Sequence, residues 1–395
     1  MFKRAFLISI LYTLCHLSIF GQSTTLNQGK TRESAYFSQI PFEFKYGKII
    51  IKATIENQDF RFILDTGAPT IITEKLYKKL PSKALQKIVV SDQSGLKDSL
   101  STCYIHSIKM GEVTFDSTIS LIQNNPIFDC FNVDGMIGSN QLRNSIIHLS
   151  LQDTSLIITN KINELHLREG NSTQLYLSTF QSNPSISVEL SGNKKGKENV
   201  LFDSGYNGFY SLSNKNHTFF RKKKIFKELS SSEGKSTVGL FGAEKNSMTY
   251  LLFLKELSIG SNIIKDVTLE TTQGDNSCLG TELLNYGTVT VDYLNKKFYF
   301  TPFNDQNTFI YRGDVFPFSL GLGDKNKVII GHIWNKNLLG EMSVGDEVIE
   351  INKTPITDYC LLLNGTIRYK NLEKVQLSVR KKNGTIVSQE VNKLK

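Results

Sequence analysis

One short motif occurs twice in the chain, and this repetition constrains the fold more than any other feature. The sequence reads FILDTGAPTII around Asp65 and VLFDSGYNGFY around Asp203. Each acid follows three apolar residues, which is typical of the end of a buried strand, and precedes a hydroxyl residue and a glycine, which is typical of a turn. The residues that follow the two acids are Thr66, Gly67, Ser204 and Gly205. A carboxyl group at the end of a buried strand is costly, so its repetition indicates a site rather than a scaffold.

Each copy of the motif is followed, at a nearly equal distance, by an apolar residue and a glycine. These pairs are Ile137 with Gly138 and Leu279 with Gly280. A glycine lets a strand pass close to the acid loop, where any side chain would collide. We predict a short helix after each acid loop and after each pair, and then two strands joined by a polar turn.

The segments between these motifs are rich in Val, Ile, Thr, Phe and Tyr, and polar or glycine turns interrupt them at short intervals. This pattern is typical of an all-β barrel or sandwich. We therefore predict a mainly β protein with two homologous β-barrel lobes, residues 36–161 and residues 169–303.

Two acid loops related by such a repeat would bring two carboxyl groups within a few ångströms of each other. Both cannot be ionised at that separation, so they would share one proton. The ionised carboxyl can then take a proton from a water molecule while the neutral one donates to a carbonyl oxygen. The sequence therefore predicts amide hydrolysis at Asp65 and Asp203, with no cofactor and no metal.

The motifs DTGA at residues 65–68 and DSGYNG at residues 203–208 resemble those of retropepsin-like and pepsin-like aspartic proteases. The resemblance covers both predicted lobes, including the two apolar–glycine pairs, which that family places behind its acid loops. It implies acid-protease-type barrels in a monomer, with a peptide or protein as substrate. By position, the catalytic pair would be Asp65 and Asp203, Thr66 and Ser204 would brace the loops against each other, and Gly67 and Gly205 would supply the turns.

The same resemblance implies one or two hairpin flaps over an extended substrate, which we expect at residues 89–104 and 236–250. Tyr206 and Pro69 depart from the usual pattern beside the acid loops, which leaves substrate width and pH optimum open. These departures motivate an alternative, a peptide-binding protein on a protease-like scaffold that does not cut. A structural adhesin, which would need neither acid, is a further alternative.

The C-terminal segment, residues 314–395, has a different pattern. Its core, VGDEVIEINKTPI at residues 344–356, resembles the PDZ domain, in which a Gly-Asp turn leads into a strand, an Asn-containing turn and a second strand. This implies a small β/α domain whose groove recruits or positions a peptide. FPFSLGLG at residues 316–323 does not match the carboxylate-binding loop of that family, which indicates an altered or lost groove. The alternative is a packing role, in which the domain covers the second lobe around Trp334 and residues 338–339.

The N-terminus, residues 1–21, has the layout of a signal peptide, because Lys3 and Arg4 precede an apolar stretch that ends at a small residue. The stretch is short for a membrane span. We predict an exported protein, periplasmic, cell-surface or secreted, without stable membrane insertion; an uncleaved anchor is the alternative. Residues 22–35 are predicted to be a linker, and residues 24–38 form either a flexible leader or a strand that joins the sheet.

The net charge and the cysteine spacing bear on nucleic-acid binding, metal binding and disulfide pairing. The formal net charge is +9, and the densest basic run, RKKKIFK, is more typical of a solvated surface than of a nucleic-acid site. After export four cysteines remain, and their spacing matches no metal site: Cys103, Cys130, Cys278 and Cys360. Two alternatives are open for the first two, a disulfide between Cys103 and Cys130 in an oxidising compartment, or two buried free thiols.

Overall fold

A computed structural model describes residues 25–394 of the chain, except residues 305, 312, 314, 366 and 368. Strands contain 51% of the residues and helices 12%, so the prediction of a mainly β protein is confirmed. Among the described residues, no helix combines the length and the apolar character that a membrane span needs. The predicted signal peptide, residues 1–21, lies outside the described residues.

Strand β5 is the centre of the N-terminal part, residues 25–161. The strands of this part are β1 (Lys30–Thr31), β2 (Phe37–Pro41), β3 (Glu43–Lys45), β4 (Lys48–Ile55), β5 (Gln58–Asp65), β6 (Ile71–Ile72), β7 (Ala84–Ser91), β8 (Lys97–Met110), β9 (Val113–Ile122), β10 (Gly135–Gly138), β11 (Ile146–Ser150) and β12 (Ser155–Thr159), and its helices are α1 (Glu74–Tyr77), α2 (Pro126–Phe131) and α3 (Ser139–Leu142). β5 pairs antiparallel with β4 and parallel with β10. Phe62 and Leu64 pack into one hydrophobic core and Ile63 into a second. Burial on both faces explains why three apolar residues run uninterrupted before Asp65.

The middle part, residues 162–311, repeats this local arrangement. Its strands are β13 (Ser172–Leu177), β14 (Pro184–Ser191), β15 (Lys195–Phe202), β16 (Tyr210–Ser213), β17 (Lys227–Gly234), β18 (Val238–Gly239), β19 (Gly242–Ala243), β20 (Ser247–Ile259), β21 (Asn262–Thr272), β22 (Cys278–Leu279), β23 (Gly287–Asp292), β24 (Lys297–Pro302) and β25 (Thr308–Ile310); its α-helix is α4 (Asn214–Lys222), and its 3-10 helices are Ile162–Leu165, Glu169–Asn171 and Thr281–Asn285. β15 ends directly before Asp203, and β22 pairs with it in parallel, as β10 pairs with β5. The predicted short helices are present, because α1 and α4 follow the acid loops while α3 and the 3-10 helix at Thr281–Asn285 follow the glycine pairs.

Two hairpins join the N-terminal and middle parts. β11 pairs with β12, β23 pairs with β24, and β11 pairs antiparallel with β23, which gives the strand order β2-β12-β11-β23-β24-β13. One hydrophobic core contains residues of both parts, from Tyr36 to Tyr311. Of the two alternatives for residues 24–38, the strand is correct, because β1 pairs with β9 and β2 pairs with β12.

The middle part continues past residue 303, the predicted end of the second lobe. β25 pairs in parallel with β21. Directly after it, Tyr311 stacks on Phe209, with ring centroids 4.5 Å apart. A three-residue strand has too little periodicity to be recognised from sequence, and the place of β25 depends on a partner distant in sequence.

The C-terminal part forms a separate sheet with a hydrophobic core of its own. Its strands are β26 (Phe318–Leu322), β27 (Val328–Ile333), β28 (Glu347–Ile351), β29 (Thr354–Pro355), β30 (Lys374–Arg380) and β31 (Ile386–Asn392), its α-helix is α5 (Cys360–Leu363), and its 3-10 helices are Asp324–Asn326 and Lys336–Leu338. Its likeness to the PDZ domain remains a prediction. It packs against the middle part beside β17, where Lys235 N donates to Gly331 O (3.2 Å). Trp334 and Leu339 are buried, whereas Leu338 is exposed.

The disulfide of the described residues joins Cys130 to Cys360, 230 residues apart. It links α2 of the N-terminal part to α5 of the C-terminal part. Both sequence-based alternatives are therefore wrong, since Cys130 is neither free nor bonded to Cys103. The free thiol of Cys103 is fully buried in the core shared by the first two parts. Proximity in sequence misled the prediction because the partner of Cys130 lies on a helix of the C-terminal part, 230 residues away.

Candidate active site

The two repeated acids meet where β5 and β15 end. Gly67, in the loop after Asp65, lies so close to Asp203 that a β-carbon placed on it would be 2.5 Å from Asp203 Cγ. A β-carbon on Gly205 would likewise be 2.1 Å from Asp65 Oδ2. Each carboxyl group thus lies against the glycine of the other loop, where no larger residue fits. The residues that sequence repetition placed in matching positions are brought together at one point.

Thr66 and Ser204 hold the two loops together through four hydrogen bonds. Thr66 Oγ1 donates to Phe202 O (2.6 Å), and Ser204 Oγ donates to Leu64 O (2.8 Å). In return, Ser204 N donates to Thr66 Oγ1 and Thr66 N donates to Ser204 Oγ, both at 3.0 Å. Both side chains are fully buried. Away from water these bonds have no competitor, so they fix the distance between the two acid loops.

Backbone N–H groups and burial set the protonation of the two acids. Asp65 Oδ1 accepts hydrogen bonds from Gly67 N and Ala68 N, both 2.9 Å, and Asp203 Oδ1 accepts one from Gly205 N, 2.8 Å. Burial raises the pKa of Asp65, and the negative charge of Asp203 raises it further. Burial also raises the pKa of Asp203. Two carboxyl groups with raised pKa values in mutual contact hold one proton between them.

The two apolar–glycine pairs lie directly behind the acid loops. In β10, Ile137 pairs with Leu64 and Gly138 pairs with Asp65. A β-carbon on Gly138 would lie 2.2 Å from the carbonyl carbon of Pro69, and one on Gly280 would lie 2.4 Å from Tyr206 O. The backbone of the other pair supports the second acid, because Asp203 N donates to Leu279 O (2.9 Å). The unusual residues Pro69 and Tyr206 therefore each pack against the glycine of an apolar–glycine pair.

Hairpins are present at both predicted flap segments, residues 89–104 and 236–250. β7 and β8 form the first hairpin, and β18 and β19 form a short second one. Their turns meet, because Phe241 N donates a hydrogen bond to Asp92 Oδ2 (2.8 Å). The two turns thus form a bridge between the N-terminal and middle parts.

The turn of the first hairpin also reaches the strand behind Asp203. Gln93 Nε2 donates to Asn276 O (3.1 Å) and to Cys278 Sγ (3.2 Å). Cys278 directly precedes Leu279 of the apolar–glycine pair. The first hairpin is therefore closed over the middle part.

Cys278 is a further titratable side chain near the two acids. It is buried and has a free thiol. Burial raises the pKa of Cys278, and the charges of Asp203 and Asp65 raise it further, so the thiol stays protonated. In the described part of the chain, no group of three or more His, Cys, Asp or Glu side chains is arranged to hold a metal ion.

Sequence reasoning missed three residues of this region, Lys48, Gln93 and Cys278. For Lys48 a signal existed, because β4 and β5 are joined by the two residues 56–57, which fixes their register. When this register is extended by two residues beyond the pair Ile50 and Ile63, Lys48 lies opposite Asp65. No signal was available for the contact of Gln93 with Cys278, since it joins two parts of the chain that are far apart in sequence.

Comparison with known proteins finds a family match that contains the first acid loop. Residues 51–141, which include Asp65 and Gly138, match the family described as "Aspartyl protease"; the match ends before Asp203. A solved structure of a retropepsin-like aspartic protease from Rickettsia conorii is 17% identical, with 33% of this chain and 95% of that chain covered and a TM-score of 0.25. No curated protein matches the chain at a significant level.

Replacing Thr66 with Val keeps the shape of the side chain and removes its hydroxyl group. We expect the free energy of unfolding to fall by about 2 to 6 kcal/mol, because Phe202 O and Ser204 N each lose a buried partner at about 1–3 kcal/mol apiece. Denaturant unfolding measures the change. The control is Thr54→Val, which removes a surface hydrogen bond to Asp59 and should change stability by less than about 0.5 kcal/mol. Equal effects of the two changes would contradict the bracing role.

Proposed function

We propose that the chain is an aspartic-type endopeptidase in which Asp65 and Asp203 activate water to hydrolyse a peptide bond. The observation that carries this proposal is the meeting of the two carboxyl groups, each against the glycine of the other loop. The match of residues 51–141 to aspartyl proteases supports it for the first acid. Because one chain supplies both acids, we propose a monomer in which the N-terminal and middle parts act as two protease-type lobes.

The pair acts as an acid and a base in the same step. The ionised carboxyl takes a proton from water, whose oxygen attacks the peptide carbonyl carbon, while the protonated carboxyl donates to the carbonyl oxygen. In the second step a hydroxyl of the resulting diol returns a proton to the carboxylate, the carbonyl re-forms, and the C–N bond breaks. The leaving nitrogen receives its proton from the other carboxyl, so the pair regains its starting state. The negative charge of Asp203 raises the pKa of Asp65, so we assign the first proton donor to Asp65 and the base to Asp203.

The closed hairpins favour an extended peptide as substrate. A peptide entering between the acids and the first hairpin must displace the contact of Gln93 with Cys278. The bridge between Asp92 and Phe241 would separate in the same movement. An unfolded segment is thin enough to enter there, whereas a folded domain is not, so we propose unfolded protein or extended peptide as the substrate class.

Asp65→Asn and Asp203→Asn should each abolish the shared-proton state. We expect the cleavage rate of an unfolded protein, followed by mass spectrometry between about pH 3 and 7, to fall by about 10² to 10⁴-fold in either variant. Asp59→Asn is the matched control, because Asp59 lies exposed on the same strand as Asp65. This variant should cleave the substrate at the wild-type rate. Peptide binding that persists in all variants, with no product even from the wild type, would favour the alternative of a peptide-binding protein.

Export of the protein is a second part of the proposal. The signal-like segment at residues 1–21 motivates it, and the disulfide between Cys130 and Cys360 supports it, because such bonds persist in oxidising compartments. The mature protein would be periplasmic, cell-surface or secreted, with no stable membrane insertion.

The export proposal is tested on protein isolated from its native cells. We expect its first residue near position 22, and a non-reducing peptide map in which the peptides of Cys130 and Cys360 form one crosslinked species. Reduction should separate that species into two, while the peptide containing Cys103 stays unchanged and serves as the control. An N-terminus at Met1 together with a free Cys360 would contradict export.

The C-terminal part is proposed as a PDZ-like module that recruits or positions peptide. Its separate sheet and core fit an independent module. Its contact with β17 and its disulfide to α2 would hold it at a fixed place relative to the acids. A peptide bound to this module would be held near the acids, so its effective concentration at the acids would be higher than in free solution.

Removing the C-terminal part after residue 313, with Cys130→Ser to avoid a free thiol, tests recruitment. We expect a soluble protein that cleaves short peptides normally but loses at least about tenfold in kcat/KM on long substrates. The control is the full chain with Cys130→Ser and Cys360→Ser, which keeps the module without the disulfide. Insoluble protein, or unchanged preference for long substrates, would indicate that the module only covers the surface of the middle part.

A further inference from the structure

Lys48 lies beside the two acids, although neither acid motif contains it. It is the first residue of β4, which pairs antiparallel with β5 in a register that puts Ile50 opposite Ile63. Continuing this register by two residues places Lys48 opposite Asp65, so the two side chains lie on the same face of the hairpin. A positive charge is therefore built into the strand next to the one that carries the first acid.

The side chain of Lys48 reaches the loop of the second acid. Its Nζ donates a hydrogen bond to the carbonyl oxygen of Gly205. Gly205 is the residue that lies against the Asp65 carboxyl group, and its N–H donates to Asp203 Oδ1. The ammonium group thus holds a residue that contacts both carboxyl groups.

The charges at this point balance. Two carboxyl groups that share a proton carry one negative charge, and the ammonium of Lys48 carries one positive charge. Without Lys48, a negative charge would be buried with only backbone dipoles to stabilise it. Burial lowers the pKa of Lys48, while the charges of Asp65 and Asp203 raise it, so the ammonium form depends on the two acids.

We propose that Lys48 is a positioning residue that holds the Asp203 loop against Asp65 and sets the pH range in which the pair carries a single proton. The proposal rests on the function proposed above. It deepens that function by assigning regulation of the acid pair to a residue of the N-terminal part.

Two neutral side chains and one carboxylate also face the acid pair from neighbouring elements. Burial raises the pKa of the Cys278 thiol, which is on β22, and the pKa of Tyr206, which follows β15. Glu282, on the 3-10 helix at Thr281–Asn285, accepts a hydrogen bond from Tyr311 and adds a negative charge that raises the pKa of Tyr206. Lys48 is therefore the positive group whose charge acts on both acids.

The sign of the effect follows from the charge. An ammonium near a carboxyl group favours the ionised form, and Lys48 lowers the pKa of both Asp65 and Asp203. Removing the charge should raise both values, so both limbs of the pH–rate profile should move to higher pH. Removing the hydrogen bond to Gly205 as well should loosen the Asp203 loop and lower kcat.

Three substitutions in the full-length protein separate the two roles. Lys48→Gln keeps a hydrogen-bond donor and removes the charge, so its profile should move by about 1 to 3 pH units upward with a modest loss of kcat. Lys48→Met removes both, so it should show the same movement and a larger loss of kcat. Lys48→Arg keeps both and should stay near the wild-type profile. The control is Lys52→Met, because Lys52 is exposed on the same strand and should leave the profile unchanged.

A second measurement does not need catalysis. The raised pKa of Asp65, about 8 against an ordinary 3.8, makes the folded state bind a proton more tightly than the unfolded chain, so the free energy of unfolding falls as pH rises through that interval. In Lys48→Gln this fall should extend to higher pH than in the wild type, with Lys52→Met as the control. An unchanged profile and an unchanged stability curve in Lys48→Gln would overturn the proposal. Absence of activity in every protein, with the stability curve shifted as expected, would overturn the protease function and leave the role of Lys48 intact.

Discussion

The four hydrogen bonds that Thr66 and Ser204 make across the two acid loops are the interaction on which the rest of the structure depends. They connect backbone groups at the ends of two strands that are far apart in sequence, and they lie where water cannot replace them. Their consequence is geometric, because they bring two carboxyl groups to a separation at which only one can be ionised. The paired hairpins β11–β12 and β23–β24 and the shared hydrophobic core hold the surrounding strands in the positions that these bonds require.

Much of the site could be predicted from sequence because its determinants are local. The acid after three apolar residues indicates a strand end, the hydroxyl residue and glycine indicate a turn, and the later apolar–glycine pair indicates a close approach of two strands. Each of these features occurs twice in the sequence. The hairpins at residues 89–104 and 236–250 were expected from the resemblance to aspartic proteases, which implies flaps, and not from the residue pattern of those segments.

The parts that sequence reasoning missed depend on contacts between distant segments. The disulfide partner of Cys130 lies on α5 of the C-terminal part, so short spacing suggested Cys103 instead. β25 is too short to show a periodic pattern and is recognised only by its pairing with β21. Lys48 was only partly predictable. The short turn at residues 56–57 fixes the strand register that places Lys48 opposite Asp65. A lysine at the start of a strand is, however, ordinarily a surface residue, so its place at the acids was not expected.

The bond between Cys130 and Cys360 has a consequence for how the molecule survives damage. A nick in the backbone at any exposed loop between those two positions leaves both fragments covalently attached, since the bond closes a ring that includes the whole middle part. A clipped molecule would therefore keep both acids tethered in one particle, and it would show its cut only after reduction. Because Asp65 precedes this ring and Asp203 lies within it, a cut between Cys130 and Asp203 would otherwise separate the two acids.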